Sequence, residues 1–262
     1  HGARGPWVVL LMGLGASSLM WLDVPERLVQ GERPSRVLAV DLLGTGDSDR
    51  LRRPVSLRTM ADHVVRAMDA AGVERADLVG LSMGGMVAQH VALNHGDRLD
   101  GLVLMATTPG LVYGGLPTPR ALRALLRTSL RRSKNRKVAE GLVADLILPQ
   151  TQRHRAAELV ERLGEAYRAA PTRSESFLWH LVACAVHSTA GDLQRIRVPT
   201  VVVTGDDDIV IGRRSSRVLA SRIPNAQLEV VPACGHGISF THPEAVVAAI
   251  ARLRGWRAGA AN

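Results

Sequence analysis

The chain has 262 residues, 46% of them hydrophobic and 22% charged, a balance that lets one α/β domain bury a sizeable core and excludes a disordered or collagen-like chain. Thirty-three Lys and Arg against 24 Asp and Glu give a formal charge of +9, yet only Lys134 and Lys137 are lysines and aromatics make up 3%. So few rings cannot build base-stacking platforms, and the charge alone does not argue for nucleic acid. Two cysteines, Cys184 and Cys234, exclude a disulfide framework and read as structural thiols. No apolar run approaches the ~20 residues of a membrane span. The run at residues 7–12 follows Arg4 but reads better as a strand than as a signal peptide, so a cytoplasmic setting is the expectation.

In chain order, short apolar runs at residues 7–11, 36–41, 76–81, 99–105, 200–204 and 226–231 read as strands. Segments of helical period lie between them. One opens at Ser56, places Leu57, Met60, His63, Val64 and Met68 on one face and stops at Gly72. A second spans residues 82–95 before Gly96, and a third spans residues 243–253 with Pro243 in its first turn. Near-continuous apolar strands alternating with helices predict a doubly wound, mostly parallel sheet covered on both faces. The alternation breaks at residues 109–190, where helices are expected at 118–132, 133–148, 151–169 and 172–188 without strands. The predicted organisation is therefore a core of residues 1–108 and 191–262, with a helical lid, residues 109–190, inserted after the strand at 99–105.

The sharpest chemical signal is Gly80-Leu81-Ser82-Met83-Gly84, followed by Gly85, directly after one strand and at the start of a helix. In that context the G-x-S-x-G pattern forms a strained turn that lifts the Ser82 hydroxyl above the sheet, and side chains at positions 80 and 84 would collide there. The helix start aims amide groups at any anion formed nearby. A serine hydroxyl needs a base, and the base needs an orienting acid. His236, flanked by Gly235 and Gly237 between the last strand and the last helix, is the best placed of nine histidines. Acids at the end of the preceding strand are Asp206, Asp207 and Asp208, and the residues alone leave open which one acts.

These motifs resemble the α/β-hydrolase superfamily, most strongly through residues 7–108 and 199–250. Within it, Leu11-Met12-Gly13-Leu14-Gly15 and residues 80–85 resemble esterases and lactonases related to aclacinomycin methylesterase and 3-oxoadipate enol-lactonase. The resemblance implies that the acid is Asp208, three residues after Gly205, and that His236 is the base. It further implies an oxyanion hole from the backbone N–H groups of Leu14 and Met83, with Met12 standing where most members carry His. The loop Asp41-Leu42-Leu43-Gly44-Thr45-Gly46-Asp47-Ser48 resembles the family's Asp-x-x-Gly-x-Gly-x-Ser loop. Members usually begin with an antiparallel hairpin, whereas six residues precede Trp7 here, so either residues are missing upstream or the sheet edge is bare.

The expected activity is hydrolysis of a carboxylic ester, lactone or thioester of a small organic substrate through an acyl-serine, with no cofactor or metal. The alternative is a non-hydrolytic cyclase, lyase or acyltransferase using the same pocket. Trp21, Met83, Phe177, Trp179 and Val210 are pocket candidates that could equally be ordinary core. The lid carries Arg120, Arg123, Arg127, Arg131, Arg132, Lys134, Arg136 and Lys137 with no acid among residues 120–137. This is either a solvated face or an attractor for an anionic substrate, a carrier protein or a membrane surface.

Overall fold

The computed structural model describes residues 1–115, 118, 119, 121, 123 and 146–260. Six strands form one parallel sheet: β1 (Trp7–Leu11), β2 (Arg36–Val40), β3 (Ala76–Leu81), β4 (Leu99–Met105), β5 (Thr200–Gly205) and β6 (Ala226–Val231). Their order across the sheet is β2-β1-β3-β4-β5-β6. The chain therefore leaves β1 toward one edge, returns across it, and builds outward from β3 in the other direction. The carboxyl ends of β1 and β3 border the point where the winding reverses, which is where open α/β sheets leave a crevice.

Helices α1 (Val24–Gln30), α2 (Leu57–Ala70) and α3 (Met83–Asn94) follow the first three strands. Ser56 caps α2, its hydroxyl accepting from the Thr59 N–H at 3.1 Å, and Gly72 ends it at φ +66°. Side chains alternate across the sheet as the pleat requires. Val9, Leu11, Leu78, Leu102 and Val202 pack under α2 and α3, while Val8, Leu10, Val79, Val103 and Val201 pack on the other face. There they meet α1 and the last helix, Pro243–Ala260.

Inside the insertion lie α4 (Leu111–Gly114), a 3-10 turn at Gln150–Arg155, α5 (Ala156–Ala169) and α6 (Ser174–Ala185). The helices expected at 118–132 and 133–148, and with them most of the basic segment, lie outside the described residues apart from a few positions. The two ends of the insertion run side by side: Gly110 bridges Ser188, and the Thr189 N–H donates to the Pro109 carbonyl at 2.9 Å. After β5 come α7 (Arg213–Arg222), the short α8 (Ile238–Thr241) and α9 (Pro243–Ala260).

The differences from expectation are local. Neither α1 nor α7 was anticipated, because α1 is one seven-residue segment and α7 holds four arginines and three serines in ten residues. Helix α9 runs seven residues beyond the expected stop at 253. The segment expected at 172–188 is helical only over Ser174–Ala185, and the one expected at 151–169 begins as a 3-10 turn. The outer edge of β2 is not wholly bare, since the amino group and carbonyl of His1 pair with Val37 at 2.9 and 2.8 Å.

Candidate active site

Ser82 sits between β3 and α3 with φ +55° and ψ −118°, a conformation that costs a side-chain-bearing residue about 1–3 kcal/mol unless its surroundings impose it. Here they do. Its N–H donates to the Met105 carbonyl at 2.9 Å, and its own carbonyl accepts from the Gly85 N–H, the Met86 N–H and the Thr107 hydroxyl at 3.0, 3.1 and 2.8 Å. The glycines are steric necessities. A Cβ at Gly80 would strike the Gly84 carbonyl, one at Gly84 would strike the Leu11 carbonyl, and one at Gly85 would lie 2.6 Å from the Thr107 Cβ. The turn is thus wedged between its own helix and the ends of β1 and β4.

The three adjacent acids have three different environments. Asp208 has a fully buried carboxylate: Oδ2 accepts from His236 Nδ1 at 2.9 Å, and Oδ1 accepts from the Val210 and Ile211 N–H groups at 2.9 Å each. Asp206 is exposed, and its Oδ1 accepts from the Cys234 N–H at 3.2 Å, fastening one loop to the next. Asp207 is exposed. Of the three, Asp208 is the buried one and the one hydrogen-bonded to His236.

The imidazole of His236 is 15% exposed and bridges the pair, with Nε2 3.0 Å from the Ser82 Oγ. Because Nδ1–H donates to Asp208, Nε2 is left to accept from the serine hydroxyl. The flanking glycines are set by the returning insertion. The Gly237 N–H donates to the Ile147 carbonyl at 3.1 Å, a Cβ at Gly235 would lie 2.6 Å from that same oxygen, and one at Gly237 would strike the Ile147 side chain. Burial pushes the adjacent Cys234 thiol up to about 12, so it stays protonated beside the histidine.

The loop after β1 closes on Ser82, where a Cβ at Gly13 would stand 3.3 Å from the Ser82 Cβ and 3.8 Å from Oγ. Leu14 follows Gly13, and Met83 is the first residue of α3, whose N–H has no acceptor within the helix. Gly15, at φ +63°, lies against the Phe177 ring of α6. Val210 is tied to Asp208 through its N–H, and Trp179 packs half-buried on the same layer as α2 and α3. Trp21 is not brought to this group. The 3-10 turn Ser18–Trp21 folds its indole into the opposite layer with Met12, Val24 and Leu28. Sequence reasoning missed Thr107, which holds the Ser82 carbonyl but belongs to no motif.

A cavity of about 510 Å³ lies elsewhere, along β2 and α2, lined by Leu38, Val40, Asp49, His63 and Arg66 among others and by none of Ser82, Asp208 or His236. Among the described residues no helix is long and apolar enough to cross a membrane, and no three His, Cys, Asp or Glu side chains are grouped to hold a metal ion.

A serine on a sharp strand-to-helix turn at the reversal of a doubly wound sheet, with a histidine and an acid on two later loops, defines an α/β-hydrolase-type enzyme. The chain belongs to the alpha/beta hydrolase fold family, whose model matches residues 6–243. It is 34% identical over 252 residues to RutD of Caulobacter sp. (strain K31), which is named for carbamate hydrolysis, covering 93% of this chain and 88% of that protein. It is 31% identical over 221 residues to 2-hydroxymuconate semialdehyde hydrolase of Pseudomonas putida, covering 80% and 73%. A thermophilic esterase from Thermogutta terrifontis superposes with a TM-score of 0.77 at 26% identity, covering 98% of this chain and 91% of that one. These relatives place the chain among the hydrolases of the fold.

Proposed function

We propose that the protein is a serine hydrolase that cleaves a carboxylic ester, lactone or thioester of a small organic molecule through an acyl-Ser82 intermediate. The observation that carries this reading is the continuous hydrogen-bond chain Ser82 Oγ to His236 Nε2 at 3.0 Å and His236 Nδ1 to Asp208 Oδ2 at 2.9 Å. Ser82 Oγ attacks the substrate carbonyl while His236 takes its proton, and Asp208 holds the imidazolium that forms. The Leu14 and Met83 N–H groups stabilise the carbonyl oxygen as it becomes negative. His236 then returns the proton to the departing alcohol or thiol, and a water molecule deprotonated by His236 releases the acid and frees Ser82. Residues 1–108 and 191–262 act as the catalytic core and residues 109–190 as the cap, and a cytoplasmic setting suits its two free cysteines.

Mixing the enzyme with a p-nitrophenyl ester is the direct test. A burst of nitrophenolate stoichiometric with enzyme, with the acyl group mapped to Ser82, is expected. Saturable binding with neither burst nor turnover, or conversion without incorporation of oxygen from water, would overturn the reading. Asp208→Asn is expected to lower kcat by about 10⁴-fold, the size of the loss when the orienting acid of such a triad is neutralised. Asp206→Asn and Asp207→Asn should each change it less than about tenfold, and equal losses at all three would move the acid elsewhere.

We also propose that the basic segment of residues 120–137 draws an anionic substrate or carrier toward the site. At physiological salt the Debye length is about 8 Å, so kcat/KM for a charged substrate should fall as salt rises, while neutral short esters stay unaffected. Replacing Arg123, Arg127 and Arg131 together with Gln should reproduce the high-salt behaviour. Charged and neutral esters responding alike to both treatments would reduce the segment to a solvated surface.

A further inference from the structure

Behind the elbow lies a polar network that the reaction above does not use. Gln89, on α3 two turns after Ser82, is completely buried, an expensive place for a primary amide unless its hydrogen bonds are made. They are made. Its Nε2 donates to the Gly85 carbonyl at 3.2 Å and to the Thr108 carbonyl at 3.1 Å, while its Oε1 accepts from the Thr189 hydroxyl at 2.5 Å. Gly85 belongs to the first turn of α3, Thr108 follows β4, and Thr189 stands where the chain returns from the insertion.

The other members of the network tighten the same three pieces. His187 Nε2 donates to the Thr108 carbonyl at 3.2 Å, and burial, with His90 beside it, pushes its imidazole down to about 4, so it stays neutral through the working range. Thr189 donates its N–H to Pro109, and Gly110 bridges Ser188. Thr107, next to Thr108, donates to the Ser82 carbonyl at 2.8 Å. One side chain therefore touches the helix start that carries Ser82, the strand end that fixes the Ser82 backbone, and the neck through which the insertion joins the core.

From this convergence we infer that Gln89 is a positioning residue for the nucleophile, locking the elbow to the neck of the insertion through Thr189. Nothing in the amide reaches the reacting atoms. Its effect is on where Ser82 Oγ sits relative to His236 and the oxyanion donors, and a displacement of 1 Å at such a centre costs about 10²-fold in rate. An apolar side chain of similar size would fill the space equally well, so packing alone does not call for an amide. This inference rests on Ser82 as the nucleophile.

The experiment is pre-steady-state acylation with a p-nitrophenyl ester, read beside KM and thermal stability, on Gln89→Leu, Thr189→Val, Thr189→Ser and the Gln89→Leu/Thr189→Val double variant. The acylation rate of Gln89→Leu is expected to fall about 10- to 100-fold, with KM moving less than about twofold. Thr189→Val should fall about tenfold, and Thr189→Ser, which keeps the hydroxyl, should match the parent. The double variant should be no slower than Gln89→Leu alone, because both changes break one connection. Unchanged acylation of Ser82 in a folded Gln89→Leu variant would overturn this inference alone, as would losses that simply multiply in the double variant. An acyl group found on another residue would overturn both it and the reading beneath it. Should Gln89→Leu fail to fold, the contrast between Thr189→Val and Thr189→Ser decides, and equal rates for those two would be the negative result.

Discussion

Ser82→Ala is expected to remove essentially all turnover, a loss of about 10⁶-fold in kcat. Thermal stability should change little. The hydroxyl contributes one side-chain hydrogen bond to the fold, the one to His236, while the interactions that fix the turn are made by the Ser82 backbone and survive the substitution. Ester hydrolysis and a thermal melt on the same preparation check both halves. Retention of more than about a hundredth of the parent rate would reject Ser82 as nucleophile, since loss of the nucleophile in such a triad leaves only binding and oxyanion stabilisation.

The second large effect lies at the opposite end of the sheet and concerns stability. Asp77, at the start of β3, has a side chain only 1% exposed and accepts from Arg254 Nε at 2.7 Å and Arg257 Nη1 at 2.6 Å. Arg254 also donates to the Ser35 hydroxyl at 3.0 Å, so the cluster joins β3, α9 and the segment leading into β2. Removing the carboxylate leaves two guanidinium groups without their shared partner. Breaking a buried ion pair from one side typically costs about 3–5 kcal/mol. Asp77→Ala should therefore lower the unfolding free energy by roughly 4 kcal/mol in denaturant titration at neutral pH. Arg254→Met added to Asp77→Ala should recover part of that loss, because it removes one of the stranded charges. A loss below about 1 kcal/mol would mean that water reaches the pair as it does on a surface.

What the sequence reveals and what it hides follow from the range of the interactions. Ser82 is legible because the clashes that demand Gly80, Gly84 and Gly85 act within a few residues and leave a local pattern. The glycines beside His236 are equally visible, although their cause, the passage of Ile147, is almost ninety residues away in the chain. The choice of Asp208 over its neighbours depends on which carboxylate is turned inward, and three adjacent Asp residues carry no local mark of that. Gln89 and Thr189 are a hundred positions apart and form no motif, so their hydrogen bond is invisible until the chain folds. Trp21 reads equally as a pocket wall or as core from the sequence, and it is the folded chain that buries it with Met12, Val24 and Leu28. Helix α7 escaped because its buried face is made of Ser215, Ser216 and Leu219, too polar a stripe to read as amphipathic.

Apart from glycine, four residues among those described have positive φ: Leu22, Ser82, Ala106 and Ala233. Three of them stand at the carboxyl ends of β3, β4 and β6, around the site, whereas the Asp77 cluster braces the amino end of the sheet. The sheet thus has two thermodynamic poles. One end is cross-linked by charge, and the other is held in conformations that the chain would abandon if the surrounding contacts loosened. Warming is expected to open the strained rim before the far end, which activity lost below the melting temperature of the sheet would show. Heat tolerance of the fold and heat tolerance of the catalyst would then be separate traits, each open to its own improvement.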